Sequence, residues 1–241
     1  MTSPSMTENV PRHIGIILDG NRRFAKRLML KPWKGHEWGA EKFRTFLEWC
    51  FDLGIDEITA YVFSIQNFQR PKEEFDFLMN IFKQEAQRLL TPEKLDELKK
   101  RETTIHYIGR LWMLPSDLQE LAHKIMDLTK NNGKRAINFA MAYGGREEIL
   151  DAVRRIAEES KEGTIEPSKI DEKIISEHLW LESAPDMIIR TGGEKRTSNF
   201  LPWQGTYSEL FFLEKYWPEI EKEDLVACIN EFSERERRFG K

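Results

Sequence analysis

Three observations predict an α/β fold: a single domain with a mostly parallel sheet flanked by helices. Short apolar runs alternate with segments of helical periodicity along the whole chain. The polar segments richest in chemistry follow directly after the apolar runs, as they do at the carboxyl edge of an open parallel sheet. The 241 residues, 40% hydrophobic and 32% charged, suit one domain with a sizeable core. No linker, repeat or low-complexity stretch divides them, so residues 11–241 are read as the domain and 1–10 as a flexible tail.

The elements follow in order. His13-Ile14-Gly15-Ile16-Ile17-Leu18 is a short apolar run bounded by polar residues and reads as a buried strand. Glu37–Asp52 places Phe43, Phe46, Leu47 and Cys50 on one helical face, and Gly54 stops it. Glu57–Phe63 is a strand, and Pro71 opens a helix to about Leu90. Thr104–Ile108 is a strand, Ser116–Asn131 a helix ending at Gly133, and Arg135–Ala142 a strand. Arg146–Ser160 is a helix with a charged outer face. Asp186–Ile189 and Glu209–Leu213 are short strands, and Glu221–Arg237 is the closing helix.

Composition excludes several classes. The net charge is −4, unlike the basic balance of a general nucleic-acid binder, and no nucleic-acid partner is expected. The cations gather instead at Arg22–Arg27, Arg190–Arg196 and Arg235–Arg238, a distribution suited to a small anionic ligand. Cys50 and Cys228 sit in apolar helical contexts outside any CxxC or Cys/His grouping, and read as reduced core thiols of a cytoplasmic protein. His106, His123 and His178 lack metal-ligand spacing. No apolar run is long enough to span a bilayer, and the first ten residues have no secretory h-region.

Three segments carry chemistry. Asp19-Gly20-Asn21-Arg22-Arg23-Phe24 joins the first strand to a helix. Backbone N–H groups and two guanidiniums there suit a phosphate, and the carboxylate suits a divalent metal. In Arg190-Thr191-Gly192-Gly193-Glu194-Lys195-Arg196-Thr197-Ser198-Asn199-Phe200, two glycines admit close backbone approach, Arg190 and Arg196 offer bidentate hydrogen bonds, and Ser198 adds a neutral donor. In Phe63-Ser64-Ile65-Gln66-Asn67-Phe68-Gln69-Arg70-Pro71, Ser64 and Asn67 suit orientation of a leaving group or a proton transfer. Arg70 suits a phosphate, and Phe63 and Phe68 a water-excluding wall.

These segments, with Gly35-His36, Tyr143–Arg146, Tyr207–Phe212 and the ending Arg235-Glu236-Arg237-Arg238-Phe239-Gly240, resemble the cis-prenyltransferases, the undecaprenyl and dehydrodolichyl diphosphate synthase family. The matches keep their order over nearly the whole chain, and the ordered set is far more specific than any one of them. The resemblance implies successive condensation of isopentenyl diphosphate onto an allylic diphosphate (farnesyl or geranylgeranyl) to give a long polyprenyl diphosphate, precursor of a glycosyl carrier lipid. It implies Mg2+ at Asp19 and Glu209, and the allylic diphosphate at Gly20, Asn21, Arg22, Arg23 and Phe24 with His36, Phe68 and Arg70. Isopentenyl diphosphate falls to Arg190, Arg196 and Ser198, and the condensation step to Asp19, Ser64 and Asn67. It further implies a homodimer whose C-terminal Arg-Phe-Gly reaches the neighbouring site, and peripheral membrane contact at product release.

That chemistry explains the residue types. Negative charge builds on the departing diphosphate, and arginines stabilise it. The product is a growing apolar chain, so an apolar tunnel is expected. Helix Pro71–Leu90 is its expected wall, with Phe75, Leu78, Met79, Phe82, Ala86 and Leu89 in one stripe and Phe77 and Ile81 as a second edge. Each buried CH₂ contributes about 0.8 kcal/mol, so the product is held ever more tightly and its release is expected to limit turnover.

Arg22, Phe24, Gln66, Pro32 and Lys195 depart from the bacterial pattern, and Arg22 and Ile65 lean toward the dehydrodolichyl branch. An aspartate-nucleophile phosphatase needs a second aspartate where Asn21 stands. A trans-prenyltransferase needs paired aspartates, and no two are adjacent here. A non-catalytic partner subunit tends to lose the aspartate and loop arginines that Asp19, Arg23, Arg190 and Arg196 retain.

Overall fold

Strand β1 (His13–Ile17) is buried at all five positions and forms the middle of the sheet. It pairs in parallel with β2 (Glu57–Ser64) through Ile14–Ile58 and with β5 (Met187–Arg190) through Ile14–Met187. Outward lie β4 (Arg135–Tyr143) and β3 (Thr103–Ile108) on one side and β6 (Glu209–Phe212) on the other. The order is β3-β4-β2-β1-β5-β6, and every pairing is parallel, firmer than the mostly parallel expectation. Parallel strands need crossovers, which the helices supply. The computed structural model describes residues 10–235. The first nine residues of the expected tail and the Glu236–Gly240 part of the C-terminal motif lie outside the described residues.

The helices are α1 (Asn21–Arg27), α2 (Gly35–Asp52), α3 (Lys72–Leu89), α4 (Pro92–Lys100), α5 (Ser116–Thr129), α6 (Gly145–Lys161), α7 (Glu172–His178) and α8 (Lys222–Glu234). Boundaries agree with the sequence expectation to within two residues, except at the end of α8, where the expected Arg237 lies outside the described residues. The short helices α4 and α7 are additions. On one sheet face Ile14, Ile16 and Ile58 pack under Phe46 of α2 and Leu225 and Phe232 of α8 around buried Trp217. Farther along the same layer, α3, α4 and α5 cover Phe63, Ile105, Ile137 and Met141. The opposite face carries Ile17, Tyr143, Ile188, Phe200 and Leu201. Cys50 and Cys228 are free, buried thiols, and burial raises both thiol pKa values, that of Cys228 to about 12.

Candidate active site

Four loops meet beyond the carboxyl ends of the strands. Ile17 ends β1 beside Arg190, the last residue of β5, so Asp19 lies across from that arginine. Arg190 Nη2 donates to Asp19 Oδ2 at 2.8 Å, and its Nη1 donates to Ser198 Oγ at 2.7 Å and to the Arg196 carbonyl at 2.6 Å. Asp19 Oδ1 accepts from the Gly20 amide at 2.6 Å and from Arg23 Nη2 at 3.2 Å. Gly20 turns the chain with φ +105°, and a Cβ there would stand 2.8 Å from Tyr216 Cβ. Only glycine meets both conditions.

Ser198, Asn199 and Leu201 take left-handed φ values of 52°, 66° and 46°. Such conformations cost energy and persist where the surroundings enforce them. Asn199 Oδ1 accepts from the Arg146 amide at 2.9 Å, and its Nδ2 donates to Glu147 Oε2 at 3.1 Å. The start of α6 therefore holds the Ser198 turn, which gives the Tyr143–Arg146 motif its place. Tyr61 stacks on Phe200 with centroids 4.8 Å apart and donates to the Ser198 carbonyl. Burial raises the Tyr61 pKa to about 12, so it remains a donor.

A second cluster forms around Glu74, a buried carboxylate on α3. Arg70 Nη1 donates to Glu74 Oε1 at 2.9 Å and lies 3.3 Å from His36 Nε2; Arg22 Nη2 lies 3.6 Å from Glu74 Oε2. Burial holds the His36 imidazole below its ordinary pKa, assisted by the Arg70 and Arg22 charges and opposed by Glu74. The ring is thus neutral near pH 7 and accepts from Arg70. Contact with His36, ahead of the Arg70 and Arg22 charges, holds the Glu74 carboxyl below its usual range. Asn21 ties the two clusters together: its Nδ2 donates to the Leu18 carbonyl at 3.0 Å, while a Cβ on Gly35 would lie 1.9 Å from its own carbonyl oxygen. That close approach fixes the start of α2 at the site.

Both clusters border one cavity of about 1060 Å³. Asp19, His36, Arg70, Arg190 and Ser198 line one end; Phe43, Phe82, Leu98, Ile105 and Phe139 are among the apolar residues beyond. The expected α3 wall divides. Leu78, Ile81, Phe82 and Leu89 line the cavity, Phe75, Met79 and Ala86 pack in the core, and Phe77 lies under Lys34.

The structure thus unites Asp19, Arg23, Arg190 and Ser198, and separately Arg22, His36 and Arg70. Ser64 and Asn67 line the cavity but are joined in a capping box, with Asn67 Oδ1 accepting from the Ser64 amide at 3.0 Å. What Asn67 has left for a ligand is its NH₂ group. Four more of the expected residues have partners of their own in the structure. Phe68 packs edge-on to Phe63, 5.1 Å between centroids, and Phe24 edge-on to Trp38 at 5.8 Å, and neither lines the cavity. The Arg196 side chain pairs with Glu194 on an exposed turn, and only its carbonyl joins the cluster. Glu209 begins β6 opposite Met187 and pairs with Arg235, whereas Phe212, three residues on, stands beside Arg190. Within one chain that puts Glu209 about 10 Å back along the strands from Arg190, and Asp19 lies beyond Arg190. Glu74 was missed by the sequence reading, although Glu four residues after Arg70 on a helix is a recognisable pairing signal.

Among the described residues no three acidic, imidazole or thiol groups converge to cage a metal. A lone carboxylate still fits Mg2+, which keeps waters and completes its shell with substrate phosphates. Asp19 Oδ2 accepts one hydrogen bond from Arg190 and retains a lone pair for such a bond.

The prenyltransferase family model described as undecaprenyl diphosphate synthase matches residues 17–240. The chain belongs to the cis-prenyltransferase family. It is 46% identical over 234 residues to the tritrans,polycis-undecaprenyl-diphosphate synthase (geranylgeranyl-diphosphate specific) of Methanopyrus kandleri, covering 96% of this chain and 85% of that one. It is 42% identical over 238 residues to an isoprenyl transferase of Thermus thermophilus, covering 96% and 89%. The crystal structure of lavandulyl diphosphate synthase from Lavandula x intermedia in complex with dimethylallyl diphosphate superposes with a TM-score of 0.89 at 33% identity, over 96% of this chain and 99% of that one. A probable undecaprenyl diphosphate synthase from Campylobacter jejuni gives 0.79 at 29%, over 97% and 100%. As a cis-prenyltransferase the chain is a transferase of prenyl groups, and the site at the strand ends is its candidate diphosphate site.

Proposed function

We propose that this cis-prenyltransferase extends an allylic diphosphate with successive molecules of isopentenyl diphosphate to a long polyprenyl diphosphate used as a carrier-lipid precursor. The observation that carries the reading is two arginine clusters, around Asp19 and around Glu74, at one end of a cavity that is otherwise largely apolar. In each round the allylic C–O bond breaks, its carbon joins the terminal alkene carbon of isopentenyl diphosphate, a proton is lost, and pyrophosphate departs. Arg22, Arg23 and Arg70 face the allylic diphosphate with neutral His36, and Arg190 and Ser198 face isopentenyl diphosphate. The guanidiniums, fixed beforehand by Asp19 and Glu74, stabilise the charge that grows on the leaving group. Tyr61, Val62 and Phe43 border the reacting carbons and keep water out.

Mg2+ bound at Asp19 supplies further neutralisation of diphosphate charge. Glu209 joins that role only if a second subunit brings it near, and the family's C-terminal motif favours such a homodimer. The names of the archaeal relatives favour geranylgeranyl over farnesyl diphosphate as primer. No described helix is long and apolar enough to cross a membrane; we place the enzyme in the cytoplasm, touching a membrane peripherally when product leaves. The test is incubation of purified protein with labelled isopentenyl diphosphate, Mg2+ and either primer, followed by separation of the lipids. Absence of elongated lipid from both primers overturns the reading, as does a turnover rate unmoved by detergent for the release step.

A further inference from the structure

An apolar patch stands on the surface beside the site, outside both the core and the cavity. Helix α1 ends at Arg27, and Leu28, Met29 and Leu30 follow before a short helical turn, Pro32–Lys34, leads into α2. These three side chains are 44%, 94% and 41% exposed, and Met29 is the most exposed large apolar residue among the described residues. The turn that carries them is closed by hydrogen bonds. The Leu30 amide donates to the Ala25 carbonyl and the Met29 amide to the Lys26 carbonyl, both at 3.0 Å, the pair of bonds that ends a helix on a left-handed residue. That residue is Met29, with φ +58°, where glycine or asparagine is usual. A methionine held there costs backbone energy and gives nothing to the core.

Cations surround the patch. Residues 22–34 hold six arginines and lysines and no carboxylate, in a chain of net charge −4. Arg22 and Arg23 turn to the site, toward Glu74 and Asp19. Of the rest, Arg27 pairs with Glu219, Lys31 with Glu73 at 3.0 Å and Lys34 with Glu37 at 3.1 Å. These cations are about half-exposed, and such pairs contribute little, so a lipid phosphate can replace the carboxylate. Lys31 also lies over the Trp33 ring at 5.0 Å and Arg27 over Phe24 at 5.7 Å, and Phe24 meets Trp38, itself 38% exposed, edge-on. An aliphatic tip, tryptophan rings and basic heads side by side suit the headgroup layer of a bilayer. We propose, resting for its purpose on the function above, that this tip docks the enzyme on a membrane surface carrying anionic lipid. Three side chains fall far short of the area that a stable protein interface buries. A bilayer requires only that the apolar ends enter it and the cations meet its phosphates. Asn21 at the start of α1 and His36 after the tip both line the cavity, and the seven residues of α1 span only about 10 Å. Docking therefore sets the diphosphate end of the cavity beside the lipid that receives the product.

The test is flotation of the full chain, without substrate, on vesicles of phosphatidylcholine alone or of equal parts phosphatidylcholine and phosphatidylglycerol. The parent is expected to float with the mixed vesicles, less with the neutral ones, and less as salt is added. Leu28→Ser with Met29→Asn removes the apolar tip and gives the left-handed position a residue that favours it, so the variant folds. Its partition onto mixed vesicles should fall at least about tenfold. Lys26→Gln with Lys31→Gln should lower that partition at least about fivefold and leave the neutral vesicles unchanged. Leu128→Ser keeps the parent partition, because Leu128 is 51% exposed near the end of α5, which runs back to the start of β4 at the other edge of the sheet. Parent partition by the Leu28 and Met29 variant overturns the inference, and so does a parent that floats with neither vesicle. Self-association of the parent that the tip variant loses, without flotation, overturns it in favour of a second copy of the chain. Elongation is assayed apart: flotation without any polyprenyl product supports the docking surface and overturns the function, and product without flotation does the reverse.

Discussion

Replacing Asp19 with asparagine keeps the shape of the side chain and removes its charge. Arg190, whose side chain is 6% exposed, loses the anion it meets at 2.8 Å, and Arg23 loses the one it meets at 3.2 Å. Removing one member of a buried ion pair costs roughly 3–5 kcal/mol, but Asp19 is 29% exposed and asparagine still offers an oxygen; about 2 kcal/mol of stability is the expected loss. Turnover is expected to fall at least about a hundredfold, or roughly 2.7 kcal/mol, because both the Mg2+ contact proposed for that carboxylate and the orientation of Arg190 depend on it. Diphosphate affinity should change far less, since both guanidiniums remain and their charge is no longer neutralised. Urea denaturation measures the first quantity. Initial rates against each substrate separate kcat from KM. A variant with parental kcat, its loss confined to a raised KM, would refute the role given to Asp19.

Glu74→Gln unpairs Arg70 and Arg22; it should cost about 2 kcal/mol in denaturation and raise KM for the allylic substrate more than for isopentenyl diphosphate, while equal changes would contradict the division of the two clusters. Gly20→Ala adds a Cβ to a φ of +105° and against Tyr216, and should cost about 2 kcal/mol, a Tm lower by roughly 4–8 °C in a thermal melt. Burial lowers the pKa of His13, His36 and His106, so between their folded values and about 6.5 the unfolded chain binds more protons. Stability then falls on acidification by at most about 1.4 kcal/mol per pH unit for each histidine, offset in part by Glu148, whose pKa burial raises. Tm should be lower at pH 5.5 than at pH 7.5, and a flat or rising Tm would contradict this.

Much of this was legible in the chain. Apolar runs such as Ile14–Ile17 and Ile137–Tyr143 are long enough to mark their strands, and the placement of Asp19 and Arg190 after strands foretold a shared edge. Helices α4 and α7 escaped because two or three turns carry too little periodicity to register. Glu74 was hidden by its neighbours: with Glu73 and Asp76 it reads as a solvated acidic turn, and only packing shows which carboxylate is inside. Phe63 and Phe68 look alike in sequence as cavity walls, yet their rings pack edge-on to each other and neither lines the cavity. The separation of Glu209 from Asp19 within the chain has another cause. Which end of a strand faces the site depends on strand register, and no local residue pattern specifies the β5–β6 pairing.

The central position of β1 has a consequence for synthesis. Its carboxylate and the Arg190 guanidinium are 171 residues apart in the chain. At roughly 5–20 residues per second, translation needs about 10–30 s to bring the second after the first. Throughout that interval the nascent polypeptide has made the first strand but not its β5 neighbour, so one flank of β1 stays without its partner on the ribosome. A transcript cut short before β5 yields a protein bearing the aspartate without the arginine that pairs with it.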